Sequence, residues 1–266
     1  MTVKADQYID NLTASGEISF TLENFCRELG VNQDVAFSAI RRLKKQLKIV
    51  SPSKGYYLIL TPEFRNRGCL PADFFIDDLM CHLGVNYYVC LLSAAMFHGA
   101  AHQQPQMMQV MVAENKRDIQ CGRVFIKFIK SSELDTAPIK KIKTRTGYMN
   151  ISTPEATAKD MLKYITQCGG MNRIATIIDE LAESMDSVAL KKLAEEDKES
   201  LWIRRLGYIL DKFNYGELSS SLYPCFDEKS DIVPLVPYAS ITGVPRDAKW
   251  RIAINTTVES DLDDSY

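Results

Sequence analysis

The sequence predicts an α+β protein of two domains, a small N-terminal one and a larger mixed α/β one whose C-terminal half is mainly helical. Three observations carry this. The chain of 266 residues is longer than one minimal core requires. A polar, turn-rich stretch from Pro62 to Pro71 interrupts it, so the domains are expected at 1–62 and 73–266. Helical and strand patterns mix along the chain without regular βαβ alternation and without an internal repeat.

The first domain reads as three helices and a β-hairpin. Asp6 to Thr13 places Tyr8, Ile9 and Leu12 on one face, and Glu17 to Thr21 alternates polar and apolar residues as a short strand does. Thr21 is placed to N-cap a helix through Leu29, with Glu23 in its first turn and Gly30 as the terminating residue. Asn32 restarts the chain as an N-cap, and a longer helix is expected to about Leu47. In that helix Ala36, Ile40, Leu43 and Leu47 share one stripe, whereas Asp34, Ser38, Arg41, Arg42 and Lys45 fall on the opposite side. A strand at Lys48–Val50, a turn over Ser51–Gly55 and a return strand at Tyr56–Leu60 complete the pattern of a winged helix-turn-helix.

Charge points the same way. Residues 1–62 carry 8 Lys/Arg against 6 Asp/Glu, while the rest of the chain carries 24 against 28. Between Asp34 and Glu63 no acidic residue occurs, but Arg41, Arg42, Lys44, Lys45, Lys48 and Lys54 do. Duplex DNA binding draws most of its affinity from phosphate contacts, which need such a local cationic surface. A recognition helix reads bases with its N-terminal half. Asn32, Gln33, Ser38 and Arg41 are therefore the candidate base contacts, Arg42 and Lys45 the candidate phosphate contacts, and Lys54 the wing-tip contact. A winged helix used only for protein contacts would show the same fold with these cations simply solvated.

In the second domain, helices are expected at 74–83 and 87–97, strands at 109–113, 124–129 and 147–152, and helices at 155–167, 171–184, 187–195 and 199–213. Thr153-Pro154 is a strong helix start. The last fifty residues read as irregular around prolines 224, 234, 237 and 245, with a strand at Trp250–Thr256 before an acidic tail.

Several blocks in order resemble the AbiEi-type antitoxins of bacterial type IV toxin–antitoxin (abortive infection) systems. They are residues 55–65 (GYYLILTPEFR), 87–103 (YYVCLLSAAMFHGAAHQ), 152–162 (STPEATAKDML), 205–210 (RLGYIL) and 250–255 (WRIAIN). The resemblance implies a repressor of its own operon that binds inverted repeats of double-stranded promoter DNA. It also implies a second domain that counteracts a nucleotidyltransferase toxin, an action that need not involve a stable complex.

The residues support no enzymatic chemistry, cofactor or metal. His98 and His102 are spaced i, i+4, with His82 further back, but Gly99 stands where a zinc protease motif has glutamate. Glu114-Asn115-Lys116 could complete a metal-dependent nuclease only with Asp73, Asp77 or Asp78. Asp261 and Asp263 imitate a nucleotidyltransferase pair inside an acidic tail. No phosphate-binding glycine loop occurs. Tyr87, Tyr88, His98, His102 and Gln103 form a candidate partner or effector surface, which leaves a small-effector sensor as a further alternative. Seven scattered cysteines without a Cys-x-x-Cys pair suit reduced thiols. With no secretory signal and no apolar run of spanning length, a soluble cytoplasmic protein without membrane partners is expected.

Overall fold

The computed structural model describes residues 2–100, 107–197 and 200–259. The chain divides into two compact units. One comprises residues 1–88, 106–135 and 141–150, and the other 89–105, 136–140 and 151–266.

The first unit opens with helix α1 (Thr2–Ala14), strand β1 (Ser19–Thr21), helices α2 (Leu22–Leu29) and α3 (Gln33–Lys45), and strands β2 (Ile49–Ser53) and β3 (Tyr56–Ile59). The expected caps form. Thr21 Oγ1 accepts from Asn24 N, Asn32 Oδ1 accepts from Val35 N, and Gly30 ends α2 in the left-handed region at φ 60°. The three strands make an antiparallel sheet in the order β1-β3-β2, with Phe20 opposite Tyr57 and Ile49 opposite Ile59. Its buried face and the three helices enclose one core of Ala5, Ile9, Phe20, Phe25, Ala36, Ile40, Leu43 and Ile49. Phe20 stacks on both Phe25 and Tyr57, which fixes the sheet against α2. Pro52 is tolerated in β2 because that strand is the sheet edge, where a missing N–H breaks no ladder.

A 3-10 turn at Pro62–Arg67 leads to α4 (Ala72–His82), whose Phe75, Ile76, Leu79 and Met80 are buried. Here the sequence reading needs correction. Residues 87–97 are not one helix: Tyr88–Val89 is a short strand, β4, and only Leu91–Phe97 is helical, α5. A continuous buried apolar run has no period to distinguish strand from helix, and Val89 pairs in parallel with Ile151. Strands β5 (Met108–Val112), β6 (Ile119–Cys121) and β7 (Val124–Lys130) follow; β5 pairs with β7 in parallel and β6 with β7 as a hairpin. Next come β8 (Ile139–Lys143) and β9 (Tyr148–Ser152).

The second unit is mainly helical beyond residue 153: α6 (Pro154–Lys163), α7 (Met171–Ala182), α8 (Ser187–Glu196), α9 (Ser200–Lys212) and α10 (Gly216–Leu222). Thr153 caps α6 with proline in the first turn, as expected. The last strands, β10 (Val233–Pro234), β11 (Arg246–Asp247) and β12 (Ile252–Ala253), form a small sheet in the order β10-β12-β11. The strand expected at 250–256 is therefore only two residues long, because Arg251 takes φ 55° and breaks extended geometry before it starts.

Candidate nucleic-acid interface

Helix α3 divides cleanly into two faces. Ala36, Ile40 and Leu43 are buried in the core, while Gln33, Ser38, Arg41, Lys44 and Lys45 are exposed. Phe37 also lies outside, 42% exposed, which makes it the one large apolar side chain on an otherwise polar face of this helix.

The sequence-predicted residues differ in how committed they already are. Arg41 and Lys45 project from the exposed side of α3. Asn32 is exposed, but its side-chain oxygen caps the helix at 3.1 Å, leaving its amide nitrogen for outside contacts. Ser38 Oγ donates back to Asp34 O at 3.1 Å, and its lone pairs stay free to accept. Arg42 is half-buried and Nη1 pairs with Asp6 Oδ2 at 2.9 Å, an anchor on α1. Lys48 Nζ reaches the other Asp6 oxygen at 2.7 Å. The hydrogen bond from Lys48, joined by Arg42 against some desolvation, holds the Asp6 carboxyl below its ordinary range. The triad ties α1, α3 and the start of β2 together. Lys44 lies over the Tyr57 ring at 5.2 Å.

Lys54 stands exposed at the tip of the β2–β3 turn, where Gly55 takes φ 77°. The tip is braced: His82 Nε2 donates to Lys54 O at 3.1 Å, the His82 ring packs on Tyr56 at 5.3 Å, and Leu22 N donates to Gly55 O at 2.8 Å. Asn32, Gln33, Ser38, Arg41, Arg42 and Lys45 are thus gathered on α3 and its cap, and Lys54 on the neighbouring turn.

The candidate partner surface is placed differently. Tyr87 and Tyr88 are buried in the first unit, and Tyr87 Oη donates to Asp77 Oδ1 at 2.7 Å. His98 belongs to the second unit, where Nε2 donates to Ser152 O at 2.8 Å. His102 and Gln103 lie outside the described residues, as do Asp261 and Asp263. A surface cleft of about 410 Å³ in the second unit is lined by other residues, among them Met185, Asp186, Ser187, Asn214, Tyr215 and Glu217. Of the acids weighed for a nuclease, Asp77 accepts from Tyr87 and Asp78 from Ser19 at 3.4 Å, while Glu114 is exposed after β5. Among the described residues no group of three or more His, Cys, Asp or Glu is placed to hold a metal ion, and no helix is long and apolar enough to cross a membrane.

Burial lowers the pKa of His98, since desolvation penalises the imidazolium more than the bond to Ser152 O favours it. The unfolded chain then takes up a proton that the native state resists. Stability contributed here is complete above the ordinary value of 6.5 and is lost as the pH falls from there towards the lowered native value. Thermal melts from pH 8 to 5 should show the wild type losing more stability than His98→Gln, which cannot titrate. Parallel curves would disprove the assignment.

Comparison with known proteins agrees with the second half of the sequence reading. Residues 87–212 match the family model of the AbiEi antitoxin C-terminal domain. No curated protein matches the chain significantly. Among solved structures, the RV2827C protein from Mycobacterium tuberculosis shares the fold, with a TM-score of 0.69 at 17% identity over 93% of this chain and 90% of that one. An antigenic nucleotidyltransferase-like protein from Paracoccidioides brasiliensis also aligns, with a TM-score of 0.36 at 11% identity over 57% of this chain and 90% of that one. Residues 87–212, which include the sequence blocks around α5, α6 and α9, are thus similar to the AbiEi antitoxin C-terminal domain family.

Proposed function

We propose that this protein is a DNA-binding autorepressor and antitoxin, in which residues 1–62 form a winged helix-turn-helix and the remainder counteracts a nucleotidyltransferase toxin. The observation that carries the DNA-binding half is the outer face of α3. It presents Gln33, Ser38, Arg41 and Lys45 to solvent, beside an exposed Lys54 on a braced hairpin tip. In this reading α2, the Gly30 turn and α3 are the helix-turn-helix, and β2–β3 is the wing. Arg41 has the donor fork that reads guanine O6 and N7, and Gln33 the paired donor and acceptor that read adenine N7 and N6, in the major groove. Lys45 and Lys54 neutralise phosphates. Arg42, held by Asp6, orients the helix and contributes charge more than a direct contact.

The antitoxin half rests on the AbiEi domain match and not on any catalytic geometry. A reporter fused to the upstream region of the protein's own gene tests the whole reading in cells. Expression of the wild type should repress it at least about tenfold, and an α3 variant that cannot bind DNA should not. Equal reporter output with and without the protein would remove autorepression. Rescue of growth from the neighbouring toxin by that same α3 variant would separate the two activities.

A further inference from the structure

All seven cysteines are free thiols, and two of them face each other in the first unit. The hairpin turn between β6 and β7 lies against the segment that follows the 3-10 turn at 62–67. Arg123 N donates to Arg67 O at 2.9 Å. A Cβ on Gly122 would come within 2.3 Å of Arg67 O and 2.6 Å of Gly68 C, so only glycine, here at φ 56°, allows this approach. Arg67 and Gly68 thus lie against Gly122 and Arg123, which brings the adjoining Cys69 and Cys121 near each other. Each thiol is the largest influence on the other's ionisation, as neighbouring sulfurs are.

A disulfide needs Cα atoms about 4.4–6.8 Å apart, and the two segments that carry these cysteines already touch through their backbones at the adjoining residues. Both side chains are buried, Cys69 fully and Cys121 at 5% exposure. Their surroundings are nonetheless unlike those of the other buried thiols. The neighbouring Cys69 thiol, with help from the Lys44 ammonium and against burial, draws the Cys121 pKa down. Cys121 and burial push Cys69 up. Cys90 and Cys168 instead are both raised by burial, with the Asp160 carboxylate adding to it.

We propose that Cys69 and Cys121 are a redox-active dithiol that closes to an intramolecular disulfide on meeting a low-molecular-weight disulfide. The Cys121 thiolate attacks one sulfur of the small disulfide, forming a mixed disulfide and releasing one small thiolate, which takes up a proton. Cys69 then gives its proton to solvent and attacks the Cys121 sulfur, expelling the second small thiol. Two protein thiols lose two electrons and the small disulfide becomes two thiols, so the exchange balances. Lys44 belongs to α3, so the dithiol sits beside the helix whose outer face is the candidate DNA surface. Burial makes the step depend on a transient opening of the β6–β7 hairpin, which keeps it slow relative to exposed thiols.

The full-length protein is equilibrated in glutathione buffers from fully reduced to fully oxidised, quenched in acid, alkylated under denaturing conditions and mapped by mass spectrometry. The exposed Cys81 reports that the oxidant has acted, through its glutathione adduct. The expected result is a peptide pair linked through Cys69 and Cys121, two alkyl groups fewer on the chain, and a melting temperature raised by roughly 5–10 °C. Cys69→Ser and Cys121→Ser should each lack the linkage and the shift. Alkylation of both cysteines in the wild type under conditions that fully modify Cys81 would overturn the proposal. Linkage of either one to Cys81 as often as to its partner would also overturn it.

Discussion

Replacing Arg41 and Lys45 together with alanine is expected to weaken binding to the protein's own upstream DNA by about 100-fold, with the fold unchanged. Both side chains are exposed on α3, so their loss leaves no buried group unpaired and no cavity. An arginine that reads a base edge contributes about 1–3 kcal/mol of discrimination. A lysine on a phosphate adds a sequence-independent share and about one unit of salt dependence. The two losses should therefore look different. Arg41→Ala alone should narrow the gap between upstream and scrambled DNA. Lys45→Ala alone should weaken both about equally and flatten the plot of log affinity against log salt. Gel shifts over a salt series read both quantities. If the double variant bound as tightly as wild type, the DNA surface would lie elsewhere on the protein.

Trp250→Ala is expected to produce the largest loss of stability. Trp250 is fully buried in the second unit, stacked on Phe226 at 5.5 Å and edge-on to Tyr223 at 5.8 Å. Its Nε1 donates to Asp211 Oδ2 at 2.6 Å, and that carboxylate also accepts from Lys249 and Ser219. Underneath, Gly207 of α9 leaves the space the ring occupies, since a Cβ there would meet the indole at 2.3 Å. Truncation removes a large aromatic and leaves a cavity and an under-satisfied carboxylate, at a cost of roughly 3–5 kcal/mol. For a domain of this size that corresponds to a drop of about 10 °C in melting temperature. Trp250→Phe should lose less, because the ring stays and only the N–H to Asp211 goes. Gly207→Ala should destabilise by displacing the same ring. A melting temperature within a degree or two of wild type for Trp250→Ala would show that the C-terminal segment does not anchor on α9.

These residues also show what the sequence could and could not disclose. Caps at Thr21, Asn32 and Thr153 and the left-handed Gly30 were legible because capping is local chemistry between residues three or four apart. The polar outer face of α3 was legible for the same reason, since a 3.6-residue period is written in the chain. The Asp6 anchor that holds Arg42 was not, because α1 meets α3 only after folding. Tyr87 and Tyr88 looked available on a helix face, yet Tyr88 opens a strand and both are buried. Their environment is set by pairing with distant segments, which local pattern does not encode. The blocks at 205–210 and 250–255 stood out in sequence without a physical reason. The reason is the seat that Gly207 makes for Trp250, together with the bond from Arg204 Nε to Trp250 O at 2.9 Å.

Recognition of the protein's own upstream DNA is proposed to rest on α3 and the adjoining hairpin. The most direct measurement is a gel-shift titration of the purified wild type on that DNA, with a scrambled duplex of equal length and composition beside it at about 150 mM salt. Nanomolar binding to the upstream DNA is expected, with at least a thousandfold preference over the scrambled duplex, as specific regulators show at such salt. Equal affinity for the two duplexes would contradict it, leaving the exposed cations of α3 as a solvated or protein-contacting face.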